Sequence, residues 1–391
     1  MIVLNEYSSD PRVRREAEAL VERGDSVDCI CLQSYDRVKS LRGVRLFGMS
    51  GKYRGRKRIR HLAAYFRFFC FAFLKVSALH FKNAYDIVQV HTMPDFLVFT
   101  AVLPKLFGAK IVLDIHDLMP ELYMAKFGGD YKSWVVRIIT FIERRSVAFA
   151  DRTIAVHEPH LDILTKHGNP RDKFSVLLNV PDDRIFVHTH VLRKESTFRL
   201  VYHGTIPDSD RAGLAVALRA LSLIRTDLKR FQLRIIGNGA GIEALRSLAH
   251  ELDLDSYVEF MGLVPVERVP GLLSDAAVGL VPYAADAFTH YVLPTKLLEY
   301  AVLRIPVIVS RLRAIQAHFS DDMVGFFEPG NEIDLAEQIL RLYRNPDVAA
   351  RLASNAAKFT DKYKWQQHRE VYFRLIDSLL PATAHVLSNA S

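Results

Sequence analysis

The sequence predicts an α/β protein of two doubly wound, Rossmann-like parallel-sheet domains facing across a cleft, and three observations predict it. Short β-branched runs alternate with helical patterns throughout, as βαβ units require. The theme occurs twice, on either side of Val180–Ser196, a stretch with prolines, charges and histidines but little periodicity. At 391 residues the chain is long enough for two cores of ordinary size. A first domain is expected at 1–183, a linker at 184–197 and a second domain at 198–360. Ligands of such sheets bind at the carboxyl ends of the strands.

In the first half, strands are expected at Ile2–Leu4, Ser26–Leu32, Ile87–Val90, Lys110–Ile115 and Arg152–Val156. Helices are expected at Arg12–Arg23, Arg60–Phe81, Pro94–Phe107 and Ser133–Ala150. Asp10 followed by Pro11 reads as an N-cap with proline at the first helical position. In the second half, strands fall at Arg199–Tyr202, Phe231–Ile236, Val258–Phe260, Val278–Val281 and Pro306–Val309. Helices fall at Leu214–Ile224, Gly241–Glu251, Val266–Ser274, Thr295–Val302 and Ile333–Tyr343. The tail beyond Lys364, with Trp365 and Tyr372, reads as a closing helix at 361–391.

Half of the residues are apolar and a quarter charged, a globular composition. Met1 leads straight into Ile2-Val3-Leu4 without a basic leader or cleavage site, so no secretory signal is read and a cytoplasmic location is expected. Cys29, Cys31 and Cys70 have no metal-ligand spacing and are expected as reduced core thiols.

The net charge of +8 is local: no acidic residue stands between Asp36 and Asp86, while Lys52, Arg54, Arg56, Lys57, Arg58 and Arg60 cluster there. Behind them, Phe66, Phe68, Phe69, Phe71, Phe73 and Leu74 form an apolar helical pattern interrupted by Arg67 and Lys75. Its charge-free runs are far shorter than the roughly 20 residues of a spanning helix. The Lys52–Lys75 region is therefore expected to meet an anionic membrane surface, peripherally on the inner face. A helix buried on a sheet with snorkelling basic residues is the alternative. No nucleic-acid recognition motif accompanies the patch, so nucleic acid is not an expected partner.

The run Leu293-Pro294-Thr295-Lys296-Leu297-Leu298-Glu299-Tyr300 carries the most chemistry. A helix N-terminus presents free amides and a positive dipole end to phosphate. Lys296 adds a full charge there, and Glu299 one turn later can accept hydrogen bonds from sugar hydroxyls. Diphosphate at one end and ribose at the other describe a nucleotide-sugar site; an ordinary capped helix accounts for the same run taken alone. Gly237-Asn238-Gly239 closes a strand with a turn that lets backbone approach a ligand.

Several segments together resemble the family-4 retaining glycosyltransferases, which have the two-domain GT-B architecture. They are Asp10-Pro11-Arg12-Val13-Arg14-Arg15-Glu16-Ala17, Val90-His91-Thr92-Met93-Pro94-Asp95, and Leu113-Asp114-Ile115-His116-Asp117 through Pro120-Glu121. Further along come Tyr202-His203-Gly204-Thr205, Ile236-Gly237-Asn238-Gly239, Phe260-Met261-Gly262, Val281-Pro282-Tyr283 and the Lys296 run. Their order and spacing over nearly the whole chain carry the resemblance.

The resemblance implies transfer of a hexose-type sugar from a UDP or GDP donor to an acceptor hydroxyl, with retention and without metal or other cofactor. Glu299 matches the second glutamate of the family's E-x7-E motif, the ribose holder, while Tyr291 stands where the first glutamate is usual. Lys296, with the amides of Thr295 and Leu297 after Pro294, would hold the diphosphate. The family's second cation usually follows the glycine at Gly204; Thr205 stands there, and Arg211 best matches the partner lysine. Gly204, Gly237, Asn238, Gly239 and Tyr283 would line the donor, with Gly262 and Leu263 beside the base. His116 would contact the transferred sugar, and His91, Asp117 and Glu121 the acceptor, although Asp117 and Glu121 could equally cap a helix. The implied closing helix crosses back to the first domain. A glycan or lipid-linked acceptor in surface polysaccharide or glycolipid assembly is expected. Nucleotide-sugar epimerisation, or a non-catalytic nucleotide-sugar-binding or membrane-associated subunit, are the alternatives.

Overall fold

The computed structural model describes residues 1–33, 38–50, 58–188 and 197–381, which fall into two compact units. One comprises Met1–Asn179 with Gln366–Ser391, the other Val180–Trp365. The basic residues Lys52, Arg54, Arg56 and Lys57, and residues 189–196 of the expected linker, lie outside the described residues.

The first unit is a sheet of β1 (Ile2–Glu6), β2 (Asp28–Leu32), β3 (Ser40–Leu41), β4 (Val44–Met49), β5 (Ile87–His91), β6 (Lys110–Ile115), β7 (Arg152–Ala155) and β8 (Phe174–Val176). Among the described residues the order is β3-β4-β2-β1-β5-β6-β7-β8, parallel except for the β3–β4 hairpin at the edge. Helix α1 (Pro11–Arg23) starts as its residues dictate: the Asp10 carboxylate accepts the Val13 amide at 3.2 Å and Pro11 takes the first position.

Helix α2 (Arg58–Asn83) buries the stripe Phe68, Ala72 and Val76, spaced one turn apart. Its Ala63–Asn83 portion, with mean hydropathy 1.3, is long and apolar enough to cross a membrane, yet a third of it is buried inside the protein. Arg67 Nη2 donates to the Ser50 carbonyl at 2.9 Å and the Lys75 ammonium lies 4.5 Å from the Phe47 ring centroid, while Phe66 and Leu74 stay exposed. The helix expected at Pro94–Phe107 is a 3₁₀ stretch, Asp95–Ala101, that leads into a short α3 (Val102–Leu106). Then come α4 (Met119–Phe127), α5 (Trp134–Phe149) and α6 (Glu158–Lys166).

The second unit is wholly parallel: β9 (Phe198–His203), β10 (Phe231–Ile236), β11 (Val258–Gly262), β12 (Val278–Val281), β13 (Val307–Ser310) and β14 (Gly325–Phe327). Their order is β11-β10-β9-β12-β13-β14. Its helices are α7 (Leu214–Leu223), α8 (Ile242–Glu251), α9 (Val269–Leu273), α10 (Thr295–Val302), α11 (Arg313–Gln316), α12 (Glu332–Arg344) and α13 (Pro346–Lys362). The closing helix α14 (Trp365–Asp377) adds Tyr372, Leu375 and Ile376 to the first unit's core beside Val3, Ala17 and Leu20. Strand order reverses at β1, between β2 and β5, and at β9, between β10 and β12. Such switch points leave a crevice outside the carboxyl ends of the strands.

Candidate active site

In the second unit the ends of β9 and β12 meet the start of α10. Lys296 is the second residue of that helix, and its side chain turns inward: the residue is 7% exposed and its ammonium has no hydrogen-bond partner. The ammonium lies 3.7 Å from the Tyr202 ring centroid and 5.1 Å from that of Tyr283. Burial lowers the Lys296 pKa to about 7, against the pull of the Glu299 charge. A buried ammonium with no hydrogen-bond partner, at the positive end of a helix, is chemically suited to an anion.

One turn on, Glu299 pairs with His203 Nε2, whose Nδ1 meets the Tyr300 hydroxyl at 3.0 Å. The Tyr300 hydroxyl donates in turn to the Val201 carbonyl at 3.2 Å. The carboxylate is thus held in one orientation, with acceptor capacity beyond the single bond to His203.

Glycines close the wall. A Cβ on Gly204 would come within 2.8 Å of the Lys296 ammonium, and a Cβ on Gly237 (φ +144°) within 1.9 Å of the Gly204 carbonyl oxygen. The Asn238 side chain accepts the Gly239 amide at 2.8 Å, and its carbonyl accepts the Ile206 amide at 3.1 Å. Gly262 ends β11 and accepts the Gly237 amide at 2.8 Å; the neighbouring Leu263 is exposed.

Three expected donor contacts differ in the structure. Leu297 donates its amide to the Pro294 carbonyl at 3.0 Å and buries its side chain, so this amide is committed to the helix start rather than open to phosphate. Arg211 is not a bare cation: its Nε donates to Asp286 at 2.9 Å and its guanidinium lies 5.5 Å from the Phe288 ring centroid. Asp286 also accepts the Phe288 and Thr289 amides, fixing the turn that carries Tyr291. Guanidinium has five donors, so the pair leaves chemistry for a phosphate at the same residue. The Tyr291 hydroxyl accepts from Arg313 Nη1 at 3.0 Å, placing a cation's partner where the family usually has a carboxylate.

In the first unit, His116 follows β6 and is held from three sides. Its Nε2 meets Asp114 Oδ2 at 2.8 Å and His91 Nδ1 at 3.3 Å, and its amide donates to Thr92 Oγ1 at 3.1 Å. Asp114 is fully buried and gripped bidentately by Arg12, at 2.8 Å to each oxygen. The pair extends through Glu16 (3.2 Å from Arg12), Gln89 (2.7 Å) and the Tyr372 hydroxyl (2.6 Å), tying α14 to the base of the site. Burial alone would lower the His116 pKa; the Asp114 charge and hydrogen bond overcome it and raise the value. His91, Asp114 and His116 place potential metal-ligand atoms within 4.8 Å of one another. Arg12 occupies both Asp114 oxygens, however, and its charge opposes a cation there.

Two expected acceptor residues are corrected. His91 is fully buried and bonds Asp114 at 3.0 Å, so it supports His116 rather than meeting a ligand. Glu121 is also fully buried: it accepts from Tyr131 and sits 3.1 Å from His167 Nε2, whose Nδ1 meets Glu143 at 3.0 Å. Two carboxylates flank that ring and, against the desolvation that would lower its pKa, hold it up at about 10. Glu121 is therefore a packing residue between α4, α5 and α6. Asp117, next to His116, is half-buried.

Sequence reasoning assigned no role to Tyr202, His203, Arg12 or Asp114. Each lay inside a quoted segment, but their roles come from long-range pairing. Arg12 meets Asp114 across 102 positions, and His203 meets Glu299 across 96.

Residues 9–179 match the family described as glycosyl transferase 4-like domain, and residues 197–345 the family described as glycosyl transferases group 1. WcaL of Escherichia coli K12, assigned as a colanic acid biosynthesis glycosyltransferase, is 27% identical over 220 residues, 56% of this chain and 53% of its own. AmsK of Erwinia amylovora, an amylovoran biosynthesis glycosyltransferase, is 27% identical over 175 residues, 43% of each chain. The matches thus span about half the length of these relatives. Among solved structures, sucrose-phosphate synthase of Thermosynechococcus elongatus superposes with TM-score 0.79 at 17% identity, over 97% of this chain and 98% of that one. HepE of Anabaena, solved with UDP and glucose, gives 0.74 at 14% identity, over 96% and 98%. These likenesses establish the GT-B fold. With both matched segments covering most of the sequence in order, the chain belongs to the group 1 glycosyl transferases and carries their glycosyl transferase 4-like domain at its amino-terminal end.

Proposed function

We propose that the protein is a metal-independent, retaining glycosyltransferase that moves a hexose-type sugar from a UDP or GDP sugar to an acceptor hydroxyl. The observation that carries this reading is the buried, unpartnered Lys296 ammonium at the start of α10, with Glu299 one turn away. As the glycosidic bond breaks, negative charge grows on the leaving diphosphate. Lys296, the positive dipole end of α10 and Arg211 stabilise it, and removing one such fixed donor costs about 2.7–4 kcal/mol. Glu299, oriented by His203, holds the ribose, and Gly237 to Gly239 let the backbone approach the donor. His116, backed by Asp114 and Arg12, donates to a hydroxyl of the transferred sugar. The acceptor proton passes to the departing phosphate, so no protein nucleophile is required. The relatives' names, colanic acid and amylovoran biosynthesis, favour polysaccharide assembly; the exposed Phe66 and Leu74 of α2 support a peripheral contact with the inner face of a membrane. The test is nucleoside diphosphate release with and without a lipid-linked acceptor in wild type and Lys296→Ala. Turnover should need acceptor and fall about 100- to 1,000-fold in the variant; near-normal activity removes the assignment, and acceptor-independent release would indicate epimerisation instead.

A further inference from the structure

A cavity of about 830 Å³ opens in the first unit between β2, β4 and α2, apart from the groups described above. It falls in the size range of small-molecule sites, about 300–1,000 Å³. Leu32, Leu41, Phe47 and Phe71 give it an apolar wall, while Lys39 and Lys75 bring positive charge. None of the described residues that line it is a carboxylate, and Arg45, which also borders it, is committed to Asp28 at 2.6 and 3.0 Å. An apolar chamber with two cations fits an amphiphile: a hydrocarbon chain bearing a phosphate.

Two placements choose among amphiphiles. Leu32 and Phe47 stand near the carboxyl ends of β2 and β4, the end of the sheet at which His91 and His116 also stand. Phe71 and Lys75 lie one turn apart on α2, and the adjoining stripe of that helix carries Arg67 with the exposed Leu74 and Phe81. A chain leaving the cavity therefore runs onto an apolar, basic helix face suited to a bilayer surface.

We propose that this cavity receives the first part of the hydrocarbon chain of a lipid-linked sugar acceptor, with the lipid phosphate against Lys39 and Lys75. Bulk phospholipid shares phosphate and chain, but the location at the reactive end of the sheet selects the acceptor. The inference rests on the glycosyl-transfer reading and specifies its acceptor class.

The test is calorimetric titration with monomeric decyl phosphate on wild type, Lys75→Gln and Phe47→Ser, each checked for an unchanged melting profile. Decyl phosphate should bind wild type and bind both variants at least about tenfold more weakly, which is about 1.4 kcal/mol. With a decyl-phosphate-linked sugar as acceptor, the variants should raise KM and keep kcat; with a chain-free sugar they should behave as wild type. Equal affinity in the variants, or equal competition by inorganic phosphate, overturns the proposal. So does binding to phosphatidylglycerol vesicles without binding to monomeric decyl phosphate. If a nucleoside diphosphate still binds while decyl phosphate does not, the cavity assignment falls and glycosyl transfer stands. If wild type binds no nucleoside diphosphate, the transfer reading falls irrespective of the lipid. Replacing the half-buried Lys75 by glutamine retains the stem, so this variant preserves the test if Phe47→Ser fails to fold.

Discussion

Replacing Lys296 by methionine keeps the length of the side chain and removes its charge. In the unliganded protein the ammonium is buried, unpartnered, and has its pKa displaced from 10.5 to about 7 by desolvation. At about 1.36 kcal/mol per pH unit, that displacement corresponds to about 5 kcal/mol against holding the charge. Loss of the Tyr202 and Tyr283 ring contacts returns about 2 kcal/mol, so Lys296→Met should stabilise the empty protein by about 3 kcal/mol near pH 7. The sign follows from proton counting. Between pH 7 and 10.5 the unfolded chain binds the lysine proton and the folded chain does not, so this group's penalty is full below 7 and relieved as pH rises toward 10.5. At pH 8 about one tenth of the folded molecules carry the charge, and a docked diphosphate restores it, taking up about nine-tenths of a proton. Urea unfolding with and without UDP or GDP measures the first effect; titration calorimetry in buffers of different ionisation enthalpy measures the second. A Lys296→Met protein that is less stable than wild type yet keeps its nucleotide-induced stabilisation would refute the reasoning.

Three further outcomes are expected. Asp114→Asn should lower the His116 pKa, read by imidazole NMR, and destabilise by about 3 kcal/mol because the buried Arg12 loses its bidentate partner and keeps only Glu16. The raised His116 value means its stabilising share is present below the unfolded value and lost as pH rises through the folded one, a dependence the variant should lack. His167→Ala should cost about 3–5 kcal/mol in urea unfolding by leaving Glu121 and Glu143 buried without their cation; in wild type this stabilisation is full below about pH 6.5 and disappears through about 10. Gly237→Ala should cost about 3 kcal/mol or more, since its Cβ would lie 1.9 Å from the Gly204 carbonyl oxygen at a φ of +144°, and should weaken nucleotide binding as well.

The two sheets and the placement of Lys296 in the first turn of α10 were legible because they rest on local rules. β-branched runs, Asp10-Pro11 at a helix start and a lysine in the first turn after Pro294 express themselves within a few residues. Elements with weak local signals escaped: the β3–β4 hairpin, and β14 (Gly325–Phe327), which is too short to show alternation and is held by its pairing with β13. Periodicity also merges a 3₁₀ stretch with a helix, as at Asp95–Ala101 and α3. What the sequence determined by itself is the class of fold and the short segments at which its candidate site residues stand. Only the tertiary structure decided which polar residues in them are buried and paired and which are left without a partner. His91 and Glu121 read as acceptor contacts until burial placed them beside Asp114 and His167, and Arg211 read as the match to the family's second cation until Asp286 came to it from 75 positions away. The reason is physical: a charge behaves as a site or as a strut according to its burial and its counter-charge, and in a βαβ fold the counter-charge arrives from a distant strand or helix.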